Sequence, residues 1–247
     1  MSELIKIIEK KPIPSGAVLI AGLPDVGLVG VIATSHIISQ LKLEEVAYID
    51  STLLPPIAVL HDGLPHSPLR IFGNGDLLAV ISETAIPADV VYPLARTLVN
   101  WCKKKNVKMI ISLGGLSTPN RQNIEEPKVF AAASSQKLLE TIKDSGVEVL
   151  GRGFMVGPYA LILRYAMESS INALLLMAEA FHNYPDPEAA AAVVMKLRKI
   201  INLNIDVSAL IEQGEEIRLR ARDIMRRTQE EMAKMKKSQE YDLPLYV

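Results

Sequence analysis

The sequence has little with which to form covalent cross-links or to attract a highly charged partner. Cys102 is its only cysteine, so no disulfide can form within the chain, and a reducing compartment, the cytoplasm, is the expected location. The chain has 27 lysines and arginines against 28 aspartates and glutamates, a formal net charge of −1. Such a balance gives no whole-molecule field that would recruit nucleic acid, so we expect none to bind.

Long apolar runs are also lacking. The amino terminus, M-S-E-L-I-K-I-I-E-K, has no signal-peptide core, and the apolar stretch from Leu161 to Phe181 is interrupted by Arg164, Glu168 and Glu179. We therefore expect no membrane span. Hydrophobic residues nevertheless make up 49% of the chain. The simplest place for this excess is an interface between subunits, which predicts a homo-oligomer.

Motifs for metal binding or nucleophilic catalysis are missing as well. The four histidines lack H-E-x-x-H spacing and cysteine partners, and no G-x-S-x-G elbow is present. We predict no metal, no cofactor and no catalytic residue. If an active cleft exists, its best candidates are polar residues near strand ends: Asp50, Glu83, Asn120 and Arg121.

The most informative stretch runs from Ala17 to Gly30. Val18, Leu19 and Ile20 form a continuous apolar run typical of a strand covered on both faces. A turn containing Gly22, Pro24, Asp25 and Gly27 follows, with Asp25 placed to cap a helix from about Val26 towards Gln40. Strand, turn and helix in this order predict an α/β fold.

A second buried strand, Val107 to Leu113, ends in Gly114 and Gly115. Ligands of α/β folds bind at the carboxyl ends of such strands, so Gly22, Asp25, Gly27, Gly114 and Gly115 form a candidate ligand site or a set of structural turns. The spacing matches neither a dinucleotide fingerprint nor a phosphate loop, and no lysine is placed to reach a phosphate. The residues therefore favour structural turns.

The remaining pattern predicts a sandwich followed by helices. Gly73-Asn74-Gly75-Asp76 indicates a hairpin, so part of the sheet is antiparallel. We expect an α/β domain over residues 1–184, a helical appendage over 185–237 and a tail over 238–247. A long helix from about Ser208 to Lys237 has a narrow apolar seam. That seam fits either the helix's own domain or another subunit.

Two segments are similar to the proteasome assembly chaperone family, including its archaeal members. They are A-G-L-P-D-V-G-L-V-G, which ends at Gly30, and G-R-G-F-M-V-G-P-Y-A, which begins at Gly151. The resemblance implies a three-layer α/β/α sandwich with a mixed, largely parallel sheet, related to purine nucleoside phosphorylases. Because that family has no established catalytic residues, the resemblance implies none in this sequence.

The last residues, L-P-L-Y-V, resemble the hydrophobic-tyrosine-X tail with which proteasome activators and assembly chaperones dock on the core particle. The resemblance gives Leu245 as the hydrophobic residue, Tyr246 as the anchor and Val247 as the carboxylate bearer in a pocket between α-subunits. It implies a non-enzymatic assembly chaperone or activator-like binder. The alternative is a nucleoside phosphorylase-like or hydrolytic enzyme that uses the cleft at the strand ends.

Overall fold

A nine-stranded mixed sheet runs through the middle of the protein in the computed structural model, which describes residues 4–235. In spatial order its strands are β1, β3, β6, β7, β2, β8, β11, β9 and β10, while β4 and β5 form a separate hairpin. The strand bounds are β1 Ile5–Glu9, β2 Val18–Gly22, β3 Glu44–Ser51, β4 Val59–His61, β5 Leu64–His66, β6 Leu69–Asn74, β7 Leu77–Ser82, β8 Met109–Ser117, β9 Val129–Ala133, β10 Glu148–Val149 and β11 Asn172–Ala180.

The centre of the sheet is parallel and its flanks are mainly antiparallel. Strand β2 lies between β7 and β8, with Val18 opposite Leu77 on one side and Met109 on the other, and β11 extends the parallel set beyond β8. On the β7 side, β6, β3 and β1 follow with antiparallel pairings. The predicted hairpin at Gly75, which has a φ of 57°, joins β6 to β7 and is confirmed.

Helices cover both faces of this sheet. Helices α2 and α4 pack on one face, and α1 and α5 pack together on the other, so two apolar cores sandwich the strands. Cys102 lies fully buried in the first core. The predicted α/β/α sandwich with a mixed sheet is therefore confirmed. The helix bounds are α1 Val29–Gln40, α2 Val91–Lys104, α3 Gln136–Thr141, α4 Pro158–Glu168, α5 Pro187–Ile201, α6 Ser208–Glu212 and α7 Gly214–Lys234.

Two aspartates stand directly before helical segments, and only one of them caps its helix. Asp186 caps α5, because its Oδ1 accepts a 3.0 Å hydrogen bond from the Ala189 N–H. Asp25 makes no such capping bond to the helix that follows, so that prediction is wrong. The chain instead passes through a 3-10 turn, Val26–Leu28, in which Gly27 and Leu28 are left-handed, and α1 begins only at Val29.

The C-terminal helical segment is broken where a single helix was predicted. Gln213, with φ −100° and ψ 18°, separates α6 from α7. Met225, Thr228 and Met232 of α7 are buried, and Ile217 and Ile224 pack against the same core as α1 and α5. This side of α7 therefore rests on its own chain. Among residues 4–235, no helix combines the length and apolar character that a membrane span requires.

Candidate functional site

The carboxyl ends of β2 and β8 are where this topology would place a ligand, because the strand order reverses around them. The structure brings several candidate residues together here. A Cβ added to Gly114 would lie 3.4 Å from Asp25 Oδ2, and one added to Gly27 would lie 3.1 Å from the Ala180 Cβ. Gly115 borders the same turn, and Gly22 faces α1. The five turn residues singled out in the sequence therefore lie close together, at the carboxyl ends of β2 and β8.

The glycines in this neighbourhood allow backbone segments to touch. A Cβ on Gly22 would lie 2.1 Å from Thr34 Oγ1, and a Cβ on Gly30 would lie 2.1 Å from the Leu113 carbonyl oxygen. On Gly115 it would be 2.4 Å from the Val26 carbonyl oxygen. Real Cβ atoms do not approach this closely, so only glycine lets α1 and its preceding turn lie directly on β8. The contacts support the structural interpretation of the glycine turn.

Tyr159 fills the space beside these glycines. It is 2% exposed, and its hydroxyl donates to the Leu23 carbonyl and accepts from the Leu23 N–H, both at 2.7 Å. Burial, followed by the charge of Asp25, raises the pKa of Tyr159 well above its ordinary value, so the side chain stays a neutral phenol. The sequence analysis missed this residue. Its signal was the position of Tyr159 in the first turn of a helix that follows Gly157 and begins at Pro158.

Arg121 was a candidate for an active cleft, and the structure gives it a different role. It is 4% exposed and binds Asp186 with two bonds, Nε to Oδ2 at 3.0 Å and Nη2 to Oδ1 at 3.1 Å. Asp186 is fully buried and also accepts from the backbone N–H groups of Phe181 and Ala189. The pair joins the turn after β8 to the start of α5, so both charges are used inside the fold.

Helix α7 crosses this edge of the sheet. The Gln229 side chain donates to the Asn183 carbonyl after β11 at 2.8 Å, and the Ala88 N–H, after β7, donates to the Glu231 carboxylate at 2.8 Å. At the other end of α7, Arg218 binds both oxygens of Glu188 at 2.8 and 3.0 Å. Burial works in the opposite direction, yet the bonds from Arg218 lower the pKa of Glu188. The chain thus covers its own strand ends.

The other polar candidates stay outside this neighbourhood or serve ion pairs. Asp50 and Asn120 are exposed. Glu83 pairs with the buried Arg70 and lies 3.5 Å from the His61 ring nitrogen. In the part of the chain that the structure describes, no three histidine, cysteine, aspartate or glutamate side chains are grouped so as to hold a metal ion. The predicted absence of a metal and of a catalytic residue stays a prediction.

The predicted docking residues, Leu245, Tyr246 and Val247, lie outside the described residues 4–235. Helix α7 ends at Lys234. Lys234 and Met235 border a pocket that includes Tyr92 and Met155.

Comparisons with other proteins agree with the resemblance in the sequence. Pyrococcus furiosus PbaA, an archaeal homolog of proteasome-assembly chaperone, has 30% identity and a TM-score of 0.86, covering 92% of this chain and 98% of that chain. Pyrococcus furiosus PbaB, an archaeal proteasome activator, has 26% identity and a TM-score of 0.76, covering 90% of this chain and 99% of that chain.

A full-length relative and a family model complete the comparison. An uncharacterized protein of Methanocaldococcus jannaschii is 29% identical over 248 residues, which is 100% of both chains. The model of the PAC2 family matches residues 19–225, which is most of the chain and includes Gly22, Gly115, Tyr159 and Asp186. The predicted family is confirmed: the chain belongs to the PAC2 family.

Proposed function

We propose that this protein binds the proteasome core particle without catalysing a reaction, as an assembly chaperone or an activator-like factor. In this proposal Leu245, Tyr246 and Val247 dock on the α-subunits of the core particle. The tyrosine ring fills a pocket between two subunits, and the terminal carboxylate pairs with a lysine there. Recognition of a free carboxylate together with a side-chain anchor is an established way to bind a peptide.

The observation that carries the proposal is the closure of the strand ends by the chain itself. Asp25, Tyr159, Arg121 and Asp186, the groups around the fold's usual ligand edge, are all buried, and their neighbours are elements of the same fold. This supports binding through another part of the molecule. The similarity to PbaA and PbaB supports the proteasome as the partner, and such a partner agrees with a cytoplasmic location.

We also infer that the protein is a homo-oligomer. Large apolar side chains stand exposed at several places, among them Leu60, Leu64 and Tyr92. Contacts between subunits would remove such groups from water. An oligomer would also present several tails to one core particle, which strengthens binding through effective concentration. Light scattering that gives the mass of one chain, 27.1 kDa, at micromolar concentration would contradict this part of the proposal.

The test measures binding of the full chain to purified core particle by biolayer interferometry. Tyr246→Ala removes the aromatic anchor and should weaken each tail at least tenfold, since a buried hot-spot aromatic contributes about 2 kcal/mol or more. Adding one residue after Val247 should be as damaging, because it moves the carboxylate away from its lysine.

Tyr241→Ala is the matched control, since it removes the same side chain from the same tail outside the last three residues. It should bind like the parent chain. Equal binding by the parent, the Tyr246→Ala variant and the extended variant would refute docking through the tail.

A further inference from the structure

A second surface, on the outer side of α7, has a different chemistry from the tail. A groove of about 750 Å³ lies between α7 and the loop that joins β11 to α5. Three arginines, each one helical turn from the next, line its wall: Arg218, Arg222 and Arg226. Apolar groups from both sides, one carboxylate and two side-chain amides complete the lining, and these residues are Tyr184, Pro185, Leu219, Met225, Asp223, Asn183 and Gln229.

The three arginines in this groove differ in how far the fold uses their charge. Arg218 binds Glu188 and Glu215. Arg226 lies 3.7 Å from Asp223, but both side chains are well exposed, so this pair contributes little. Arg222 is exposed, and no residue among 4–235 forms an ion pair with it. The groove therefore attracts anions.

The length of the basic stretch limits what can fit. Residues 218–227 contain five arginines and one aspartate, and this segment is about 15 Å long at 1.5 Å per residue. Acidic pairs flank it, Glu215 with Glu216 before and Glu230 with Glu231 after. A long polyanion such as RNA would meet repulsion at both ends. A stretch of 15 Å suits about four or five residues of an extended peptide.

The apolar groups in the groove favour a peptide for a second reason. Tyr184 is 67% exposed and Leu219 is 70% exposed, although both border the arginines. The Tyr184 and Phe181 rings are nearly perpendicular, with centroids 6.3 Å apart, and this contact orients the Tyr184 side chain. Tyrosine and arginine are the residue types enriched at the centres of protein interfaces. An apolar side chain between two acidic ones would use both kinds of group.

We propose that this groove binds a short acidic segment of a partner protein in extended conformation. Two carboxylates separated by one residue point to the same side of such a segment, about 6.6 to 6.8 Å apart. Side chains four apart on a helix, as Arg222 and Arg226 are, start about 5–6 Å apart, so each arginine can bind one carboxylate. The apolar residues of the segment point to the opposite side, where Tyr184 of the β11–α5 loop can contact them. This binding does not depend on the C-terminal tail.

Fluorescence anisotropy with the full chain and a labelled peptide, E-L-E-L-E, tests the proposal. The peptide should bind at least tenfold more tightly than its neutral counterpart, Q-L-Q-L-Q. The double variant R222E/R226E should weaken binding at least tenfold, and Tyr184→Ala should weaken it several-fold. Arg218 is left unchanged because it holds α7 to α5.

The matched control is R220E/R227E, which makes the same change of charge on the same helix with residues that do not line the groove. It should bind the acidic peptide within about threefold of the parent chain, and circular dichroism should show all variants folded. Equal losses in both double variants would overturn the proposal, because they would indicate only a general electrostatic attraction. Equal binding of the two peptides, or displacement of the acidic peptide by a five-nucleotide RNA at lower concentration, would also overturn it.

Discussion

Two regions of this protein contain arginines beside apolar groups, and they use them in opposite ways. At the strand ends, Arg121 is buried and bound by Asp186, and its guanidinium lies 5.2 Å from the Phe181 ring centroid. On the outer side of α7, Arg222 is exposed, with no ion pair to any described residue. Both arginines lie in polar stretches of the sequence, so the sequence alone does not distinguish them. The comparison teaches that burial and the nearest carboxylate, rather than residue type, decide whether a charge holds the fold or remains available for a partner.

The strongest way to break the strand-end region is to add one carbon at Gly30. Gly30→Ala places a Cβ 2.1 Å from the Leu113 carbonyl oxygen and 2.4 Å from the Tyr159 hydroxyl, so α1 has to move off β8. We expect a loss of about 5 kcal/mol or more, or failure to fold, measured by urea unfolding. Gly151→Ala is the control, because no atom lies within 4 Å of the Cβ that this change adds. Equal stability of the two variants would contradict the packing role of Gly30.

The next largest effect should come from breaking the buried ion pair. Arg121→Met leaves Asp186 buried without its bidentate partner, which costs about 3–5 kcal/mol. The double variant Arg121→Met with Asp186→Asn should recover part of this loss, because no uncompensated charge remains. Urea unfolding of the four chains in this cycle measures the coupling. A small effect of Arg121→Met would mean that the Asp186 carboxylate reaches water once its partner is removed.

Tyr159→Phe should have a smaller effect in the same region. The change keeps the ring against Gly114 but leaves the Leu23 N–H and carbonyl without the hydroxyl, at a cost of about 1–3 kcal/mol. Tyr92→Phe is a matched control, since Tyr92 is exposed and should change stability by less than about 0.5 kcal/mol. Thermal unfolding followed by circular dichroism compares the two. Equal shifts would show that the Tyr159 hydroxyl contributes no net stability.

The smallest effect should come from the ion pair between Arg218 of α7 and Glu188 of α5, whose contribution to the free energy of unfolding should fall in acid. The pKa of Glu188 is lowered from its ordinary value of 4.5 in the folded chain, so this group stabilises the fold above that value and loses its contribution as the pH falls through the lowered pKa. Both partners are partly exposed, so Glu188→Gln should cost less than about 1 kcal/mol at pH 7. Urea unfolding at a series of pH values below 7 should show the difference between parent and variant shrink as the pH falls. A difference that stays constant over the whole acid range in which the chain remains folded would exclude the ion pair as its cause.

Much of the fold could be predicted because its signals are local. The continuous apolar runs of β2 and β8 indicate strands buried on both faces, and the Gly75 turn indicates a hairpin. The boundary of α1 could not be predicted in this way. Leu28 adopts a left-handed conformation with φ 49°, which an apolar residue rarely does and which the surrounding packing imposes.

In the candidate site, too, residues with a local sequence signal could be predicted and residues brought in by long-range contacts could not. Gly22, Asp25, Gly27, Gly114 and Gly115 stood out in the sequence because turn residues follow buried strands. Tyr159 and Asp186 did not stand out as members of the same neighbourhood, because they are separated by 136 residues from Leu23 and by 65 residues from Arg121. No local pattern records such contacts.

By itself, the sequence determined the apolar strands, the turns, the amphipathic helices and the family, since each depends on neighbouring residues or on a short motif. Only the tertiary structure decided which glycines touch which backbone, that Arg121 is enclosed while Arg222 is open, and that α7 covers the strand ends. The physical reason is that these features depend on the order of the strands in the sheet. That order brings Arg121 to Asp186 and Tyr159 to Leu23, and burial then fixes what each group can do.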